Sequence, residues 1–349
     1  MSKPSTFAAS VLDTTLSAQA AGLALCLRES RGAKDLAKLG TFDELVADLR
    51  VRLQYLAEAL ALGHSSIYLQ HVDWLRDAHR TRGLGEEYVR ATHACMSTVL
   101  SADLPPLAWQ AIEPLLAEEA AHLEQPWAEL PGELEGTNGP EAARLLEAIL
   151  SASRAEALAL ALAQADRLGE ETFAETVLVP LQRELGRLWQ RGEIHVGVEH
   201  FGSRLTEEIL ARLAARGASP PNGKRVIVAS TSGDLHEIGA RMVAYRFERK
   251  GWNVRFLGAN MPRIDLGESL QEFAPHVLAL SVTLGVHLRG AAAIVAQAHA
   301  LEASIPVLIG GPALSFDPEL WRTVGADALA LDAVGAEREA RALADGRRA

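Results

Sequence analysis

The sequence predicts a multidomain protein with an N-terminal all-α domain, a four-helix bundle and a C-terminal α/β domain. Three observations predict this fold class. The 349 residues are 48% hydrophobic, which is enough for more than one core. Apolar residues recur at helical spacing as far as Arg216. Beyond Gly223, short apolar runs alternate with helical stretches, a pattern typical of a parallel sheet with helices on both faces.

The boundaries between these parts follow from proline and glycine. The stretch "QPWAELPGELEGTNGPEA" breaks the helical pattern of the first part, and "GASPPNG" precedes the first short apolar run. We therefore predict an all-helical domain over 1–135, a bundle over 136–218 and an α/β domain over 219–349.

The first domain is predicted to contain about five helices. "FDELVADLRVRLQYLAEALALG" is a long amphipathic helix that ends near Gly63. "SSIYLQHVDWLRDAHRTRG" is a helix capped by Ser65 or Ser66 that ends near Gly83. Histidines and aromatic residues are frequent on this helix and after it. One face carries His64, Tyr68, His71 and Leu75, with Trp74 beside it and His79, His93 and Trp109 further along.

The second domain is predicted to be a four-helix bundle. Helical sequence runs from Glu141 to about Arg216, with breaks near Ser151, Gly169 and Gly192. Four helical segments joined by short connections are typical of such a bundle.

Five apolar runs predict the buried strands of the third domain. They are Val226–Ala229, Val254–Leu257, Val277–Leu280, Val307–Ile309 and Ala328–Leu331. Their alternation with helices predicts a flavodoxin-like (Rossmann-type) fold. Ligands of such sheets bind beyond the carboxyl ends of the strands, near the point where the strand order reverses.

Composition argues against several classes of function. A net charge of −11 disfavours a nucleic-acid binder, which needs a basic surface. Cys26 and Cys95 do not make a disulfide framework or a thiolate metal site, and this usage fits a reducing cytoplasm. The N-terminus has no pattern of a secretion signal, and no uninterrupted apolar segment is long enough to span a bilayer. We therefore expect a cytoplasmic protein without membrane contact.

Three short motifs follow three of the predicted strands. D-L-H-E-I-G follows the first strand, S-V-T the third and G-G the fourth. The candidate site residues in these motifs are Asp234, His236, Gly239, Ser281, Thr283, Gly310 and Gly311. A neutral imidazole can bind a metal through one ring nitrogen, and Asp234 can accept a hydrogen bond from the other.

This combination resembles the signature of the cobalamin-binding domain family, D-x-H-x-x-G, S-x-L or S-x-T, and G-G. The resemblance implies that His236 is the lower axial ligand of cobalt and displaces the dimethylbenzimidazole of the cofactor. The displaced tail then lies beside the sheet, where small residues leave room for it. The alternative is that His236 only caps the helix that follows it.

A second motif lies in the bundle, in "LWQRGEIHVGVEHFGSRL". Trp189, Glu199 and His200 form a W-x9-E-H pattern that resembles the one in CarH-type light sensors, whose chromophore is adenosylcobalamin. The resemblance implies that these three side chains cover the upper face of the corrin and enclose the 5′-deoxyadenosyl group. An indole suits that role because it is large, flat and apolar. Alternatively, Trp189 is a core residue and Glu199 a solvated one.

The sequence departs from the CarH type at Gln190. In that type a histidine follows the tryptophan and binds cobalt once light has removed the adenosyl group. An amide is a poor cobalt ligand, so the same lit state is in doubt here. His195 and His200 are the alternatives that the sequence offers.

CarH-type repressors carry a basic winged-helix domain in front, whereas this chain begins with an acidic helical domain. We therefore expect no direct DNA binding. The layout resembles the photocobilins, a sub-family of cobalamin light sensors that also hold a bilin near the corrin. That resemblance implies a non-covalent biliverdin pocket in the first domain, its propionates paired with Arg76, Arg80 or Arg82. An ordinary bundle with surface histidines is the alternative.

These resemblances imply a photoreceptor and not an enzyme. Photolysis of the Co–C bond is expected to change the domain arrangement and the state of a light-dependent homo-oligomer, which then signals to an unknown protein partner. The main alternative is a corrinoid methyl carrier of a cobalamin-dependent methyltransferase system. A second alternative is the cobalamin subunit of a mutase, which would need a partner chain with a substrate barrel.

Overall fold

The computed structural model describes residues 3–30, 40–127, 132–151, 153–217 and 219–346. The chain divides into two compact units, Met1–Leu130 and Pro131–Ala349. The three domain ranges 1–135, 136–218 and 219–349 remain predictions.

The described part of the first unit contains five α-helices, as predicted. They are α1 (Lys3–Glu29), α2 (Phe42–Leu62), α3 (Ser66–Thr81), α4 (Glu86–Asp103) and α5 (Pro106–Leu123). Gly63 ends α2 with φ 75°, a left-handed conformation that favours glycine. The expected cap of α3 is not formed by Ser65, because its hydroxyl donates to Glu118 in α5 instead.

Helix α1 corrects one expectation about membranes. Pro4–Glu29 is the one helix among the described residues that is long and apolar enough to cross a bilayer by length and composition. The same helix packs against α2, α4 and α5, and Leu12, Leu23 and Leu27 are fully buried there. Core helices of soluble proteins meet the same criterion, so this finding carries no assignment.

The structure also corrects the expectation about the cysteines. Cys26 in α1 and Cys95 in α4 form a disulfide with their Cα atoms 5.8 Å apart. Their sequence separation of 69 gives no sign of this, because only the packing of α1 against α4 brings them together. Disulfides are rare in reducing compartments. The cysteine argument for a cytoplasmic location therefore loses its support, and that location remains a prediction.

A buried polar network joins four helices of the first unit. Arg52 of α2 forms an ion pair with Glu119 of α5, which is fully buried. The Tyr68 hydroxyl of α3 lies 3.0 Å from Glu119 Oε2, and His93 Nδ1 of α4 lies 2.9 Å from the same oxygen. Burial would raise the pKa of the Glu119 carboxyl, but Arg52 and His93 outweigh it and hold that pKa below its ordinary value.

The described part of the second unit begins with a bundle whose breaks agree with the sequence. Its elements are α6 (Gly139–Leu150), α7 (Arg154–Leu168), α8 (Glu170–Phe173), a π-helical turn (Ala174–Leu178), α9 (Val179–Gln190) and α10 (Val196–Ala214). The residues from α8 through the π-helical turn to α9 form one uninterrupted helical segment. Four helical segments therefore surround the core. Phe173, Leu181 and Leu185 are fully buried in that core.

The remaining elements form a sheet covered by helices. The strands are β1 (Arg225–Ser230), β2 (Asn253–Gly258), β3 (Val277–Ser281), β4 (Val307–Gly310) and β5 (Ala328–Ala330). The helices are α11 (Ile238–Arg249), α12 (Arg263–Phe273), α13 (Leu288–Ala300), α14 (Leu320–Thr323) and α15 (Ala333–Ala344). The order is β2-β1-β3-β4-β5 and each pair is parallel. This is the flavodoxin-like order, whose switch point lies between β1 and β3, and it confirms the predicted fold class.

Helix α11 joins the sheet to the bundle. Its Met242 and Tyr245 belong to the bundle's apolar core. Arg246 Nη1 lies 2.6 Å from a Glu171 carboxylate oxygen and 2.7 Å from a Glu175 oxygen, both on the bundle side. Because α11 starts directly after the D-L-H-E motif, the candidate site and the bundle share one rigid element.

Candidate functional site

Asp234 is the buried centre of the candidate site. Its side chain is fully buried, and its Oδ1 lies 2.9 Å from His236 Nδ1. The same oxygen accepts a 3.1 Å hydrogen bond from the backbone N–H of His236, and Oδ2 accepts a 2.7 Å hydrogen bond from that of Thr283. Burial would raise the pKa of the Asp234 carboxyl. These hydrogen bonds outweigh burial, so the pKa lies below its ordinary value and the group is an anion.

His236 is held in one orientation by this carboxylate. Because Asp234 accepts, Nδ1 carries the proton and Nε2 presents the lone pair of the neutral ring. The side chain is 56% exposed, so Nε2 is accessible to a ligand. The hydrogen bond to Asp234 raises the pKa of His236 against the effect of burial, and the charge of Glu199 adds to the rise. His236 does not cap α11, whose N-cap residue is Glu237.

The other two motifs lie in register with the first. Ser230 at the end of β1 pairs with Ser281 at the end of β3, and Ser281 pairs with Gly310 at the end of β4. The hydrogen bond from Thr283 to Asp234 then ties the β3 loop to the β1 loop. The structure therefore brings the three predicted motifs together at one edge of the sheet, across the switch point.

The glycines of these motifs differ in how much space a side chain would find at each position. A Cβ at Gly310 would lie 2.3 Å from the Ala330 carbonyl oxygen, and one at Gly311 would lie 2.3 Å from that of Val282. The protein's own backbone approaches both positions so closely that a side chain larger than glycine would clash with it, and the role of these two glycines beside a cofactor tail stays a prediction. A Cβ at Gly239 would meet nothing within 4 Å. Of the three, Gly239 alone borders open space.

Exposed apolar side chains surround this edge of the sheet. Leu235 follows β1 and is 73% exposed, Ile264 follows β2, Leu284 follows β3 and Leu331 follows β5. Large apolar groups exposed shortly after four of the five strands are typical of a surface that binds a ligand. Sequence reasoning missed them, since a single exposed leucine in a loop has no signature.

His287 is a second imidazole at the site that the sequence analysis missed. It ends the short 3-10 helix Gly285–His287 after β3. A Cβ at Gly233 would lie 3.1 Å from His287 Cε1, so the ring lies against the β1 loop. Burial lowers the pKa of His287, with Asp234 opposing and His236 adding to the fall. Its position shortly after a predicted strand is the sequence feature by which it could have been identified.

The W-x9-E-H residues lie on α9 and α10 of the bundle. Trp189 is in the last turn of α9 and is 38% exposed, so it is not a core residue. Glu199 Oε2 lies 2.6 Å from His200 Nδ1, and Oε1 accepts a 2.6 Å hydrogen bond from the Ser203 hydroxyl. The charge of Glu199 makes a small contribution to the raised pKa of His236. Helix α10, which carries Glu199 and His200, packs against α11, which starts directly after His236 and Glu237.

The two histidines that could replace the missing ligand at Gln190 differ in tautomer. His195 is the N-cap of α10, and its Nδ1 accepts a 3.2 Å hydrogen bond from the Gly197 N–H. Its proton must then be on Nε2 when the ring is neutral, which leaves no free lone pair. His200 donates from Nδ1 to Glu199 and is 72% exposed. Its Nε2 therefore carries an accessible lone pair, as that of His236 does.

The predicted bilin face of α3 is mostly interior. Tyr68, His71 and Leu75 are buried, and His71 stacks on Tyr55 with ring centroids 3.9 Å apart. Trp74 is exposed at the edge of the same stack. These side chains pack against one another, so the face does not form an open ligand surface.

The arginines expected near the bilin also have protein partners. Arg76 donates to the Gln125 carbonyl and forms an ion pair with Glu86. Arg80 lies over the Trp127 ring at 4.1 Å from its centroid. Two buried imidazole nitrogens, His71 Nε2 and His79 Nδ1, have no hydrogen-bond partner among the described residues. Burial lowers the pKa of His71 to about 3 and that of His79 to about 4, so both rings are neutral.

Comparison with known families defines the class of the second unit. Residues 141–214 and residues 224–341 each match a model described as a B12 binding domain. The chain therefore contains cobalamin-binding domains, and the three-motif edge lies within the second of them.

Curated relatives cover part of the chain. It is 32% identical over 141 residues to the HTH-type transcriptional repressor CarA of Myxococcus xanthus, covering 40% of this chain and 47% of CarA. It is 30% identical over 145 residues to CarH of the same organism, covering 40% and 46%. The match thus spans about half the length of these relatives. The dimethylamine corrinoid protein of Methanosarcina barkeri is 23% identical over 205 residues, 57% of this chain and 95% of that protein.

A solved structure supports the fold alone. The monomethylamine corrinoid protein of Methanosarcina barkeri aligns with a TM-score of 0.51 at 19% identity, covering 58% of this chain and 98% of that one.

We predict that Asp234→Asn lowers the pKa of His236, because an amide does not stabilise the imidazolium as a carboxylate does. An NMR titration of the histidine ring protons in the cofactor-free protein measures this change. Glu199→Gln is the matched control and should lower the same pKa by less. An unchanged His236 pKa in Asp234→Asn would show that the carboxylate does not control the ring.

Proposed function

We propose that this protein is a light sensor whose chromophore is adenosylcobalamin, and that it is not itself an enzyme. The observation that carries the proposal is the placement of Trp189, Glu199 and His200 on the bundle, with Glu199 near enough to raise the pKa of His236. A lower imidazole alone suits many cobalamin proteins. The exposed indole and the carboxylate–histidine pair give the same site an upper wall.

Residues of the sheet and of the bundle would bind the cofactor from opposite sides. His236 would bind cobalt through Nε2, while Asp234 fixes the tautomer of its ring and raises its basicity. Trp189 would supply a flat apolar surface to an adenosyl group, and Glu199 would exchange its present partners for ribose hydroxyls. Bound adenosylcobalamin would supply visible absorption and a cobalt–carbon bond that light cleaves.

A corrinoid methyl carrier is the second candidate function. The dimethylamine corrinoid protein of Methanosarcina barkeri is matched over 95% of its length. Such a carrier would share the bundle, the sheet and His236, but it would have no need of an adenosyl wall. The two functions therefore differ in what Trp189 does.

We predict that Trp189→Ala weakens binding of adenosylcobalamin more than that of hydroxocobalamin, because only the former has a large upper group to contact the indole. Spectroscopic titration of both cofactors in the dark measures the two affinities. His236→Ala is the control and should weaken both and remove the absorption of the histidine-bound form. Equal losses for both cofactors in Trp189→Ala would favour the methyl carrier.

The lit state of this protein would use His200 in place of the missing histidine at position 190. His200 Nε2 carries an accessible lone pair, whereas the hydrogen bond to His195 Nδ1 puts the proton of that ring on Nε2. The exposed position of His200 leaves it free to reorient. With Gln190 at the usual ligand position, the lit state would be less firmly held than in the CarH type.

The output would be a change in a homo-oligomer that a protein partner reads. CarA and CarH are HTH-type repressors by name, but the present match covers less than half of each. We propose that this chain acts without direct DNA contact, in the cytoplasm and away from membranes. Helix α11 would transmit the change, since it begins at the His236 loop and ends in ion pairs with the bundle.

We predict that the oligomer is larger in the dark and dissociates after green light. Loss of the adenosyl group on illumination would remove the contact partner of Trp189, and the bundle with α11 would then shift relative to the sheet. The shift is limited by the difference in affinity of the cofactor for the two arrangements. Light scattering before and after complete photolysis measures the particle mass. An identical mass in both states would exclude assembly as the output.

We propose further that the first unit binds biliverdin as a second chromophore. The support is the pair of buried nitrogens without partners, His71 Nε2 and His79 Nδ1, which a polar group of a ligand could satisfy. The packing of Tyr68 with Arg52 and Glu119 argues that Tyr68 takes no part.

We predict that biliverdin added to the full-length protein gives a red-shifted visible band, and that His71→Phe reduces it. Phenylalanine keeps the stacking on Tyr55 but lacks the ring nitrogen. His122→Ala, at an exposed pair with Asp73, is the control and should leave the band intact. A biliverdin spectrum that the wild-type protein does not alter would leave the first unit as a scaffold.

A further inference from the structure

Helix α1 presents an outward face of apolar and small side chains, which we call the α1 face. At 3.6 residues per turn these side chains lie on one side of the helix, opposite the leucines that enter the core. Phe7 and Leu25, near the two ends of the face, are 40% and 53% exposed in the described part of the chain. The members of the α1 face are Phe7, Val11, Thr14, Ala18, Ala21 and Leu25.

Thr14 can be buried at this face without the loss of a hydrogen bond. Its hydroxyl donates to the carbonyl oxygens of Ser10 and Val11 at 3.1 Å and 2.9 Å, within its own helix. A buried hydroxyl is costly only where it has no partner. The α1 face can therefore pack against another helix along its whole length.

The surface around the α1 face carries little charge. Charged residues make up 23% of the chain, but Asp13 is the only one from Pro4 to Leu27. A groove of about 530 Å³ lies beside the middle of the face, lined by residues 13–18 and by Arg50 and Gln54 of α2. Its one acidic and one basic residue balance. Two chains with a net charge of −11 each repel one another, and this neutral surface is where that repulsion is least.

The α1 face is complementary to itself when two copies of the helix run antiparallel. A two-fold axis makes each contact occur twice, with the same patch used by both copies. An axis at position 16 places large side chains opposite each other at both ends and small ones opposite each other at the centre. Helices that cross at about 20° stay in contact over such a length. The facing pairs are Phe7 with Leu25, Val11 with Ala21 and Thr14 with Ala18.

We propose that the α1 face is the interface of a two-fold homodimer, in which two α1 helices pack antiparallel about position 16. The disulfide of Cys26 with Cys95 ties the end of the face to α4, so little order has to be gained on docking. The inference goes beyond the light-dependent assembly proposed above, because this contact lies in the first unit and requires neither a corrinoid nor light.

Sedimentation velocity of the full-length protein without cobalamin tests the proposal, since assembly that needs the cofactor is then left out. The wild type should have twice the mass of one chain. Phe7→Glu and Leu25→Lys should each raise the dimer dissociation constant about a hundredfold, because the two-fold axis brings each charge twice into an apolar contact. Leu107→Lys, at a leucine of α5 that is 48% exposed, is the matched control and should leave the mass unchanged.

The variant that combines Phe7→Glu with Leu25→Lys tests the register. It should recover most of the lost affinity, because each new carboxylate faces a new ammonium group of the other copy. Positions 7 and 25 of one chain are about 27 Å apart along the helix, so this recovery cannot come from a pair within one copy.

Four results would overturn the proposal. A wild type with the mass of one chain at every concentration would exclude the dimer, and a dimer unchanged in both single variants would place the contact on another surface. A combined variant that stays dissociated, with the circular dichroism of the wild type, would exclude the antiparallel register. A single-chain mass together with binding to phosphatidylcholine–phosphatidylglycerol vesicles that Leu25→Lys abolishes would assign the α1 face to a membrane. The effect of green light on particle mass tests the proposed function separately.

Discussion

The buried carboxylate of Asp234 is the interaction on which the candidate site depends. It accepts hydrogen bonds from the ring and backbone of His236 and from the backbone of Thr283, so one anion joins the loops after β1 and β3. An anion without these donors would be costly in a fully buried position. The same contacts that stabilise the charge therefore orient the imidazole and hold the loops after β1 and β3 together at the switch point. In the proposed function, this one group would also orient the ligand of the metal.

Helix α11 extends that constraint to the bundle. It starts beside His236, contributes Met242 and Tyr245 to the bundle core, and is paired through Arg246 with two bundle carboxylates. A change at the imidazole thus acts on one end of a rigid helix whose other end is held in the bundle. This arrangement would suit the proposed sensor, whose output would be a movement. A carrier that only has to expose its corrin to an enzyme could use it as well.

The two sides of the proposed cofactor site differ in how far they distinguish the two candidate functions. The proposed lower side, with Asp234 and His236, would suit a carrier as well as a sensor, and the matched relatives include both a repressor and a corrinoid protein. The proposed upper side, with Trp189, Glu199 and His200, is where the two candidate functions would diverge. The charge of Glu199 contributes to the raised pKa of His236, which lies in the sheet domain. The choice of function therefore rests on a few side chains of the bundle.

The sequence by itself determined the strands, the helices and the three motifs, because apolar periodicity and glycine or proline breaks are local signals. The order β2-β1-β3-β4-β5 then brings D-x-H and S-x-T together by topology. Only the tertiary structure decided the disulfide of Cys26, the interior position of Tyr68, the protein contacts at Gly310 and the place of His287. Each of these depends on which distant segment packs opposite a residue, and that is set by long-range packing that no local pattern records.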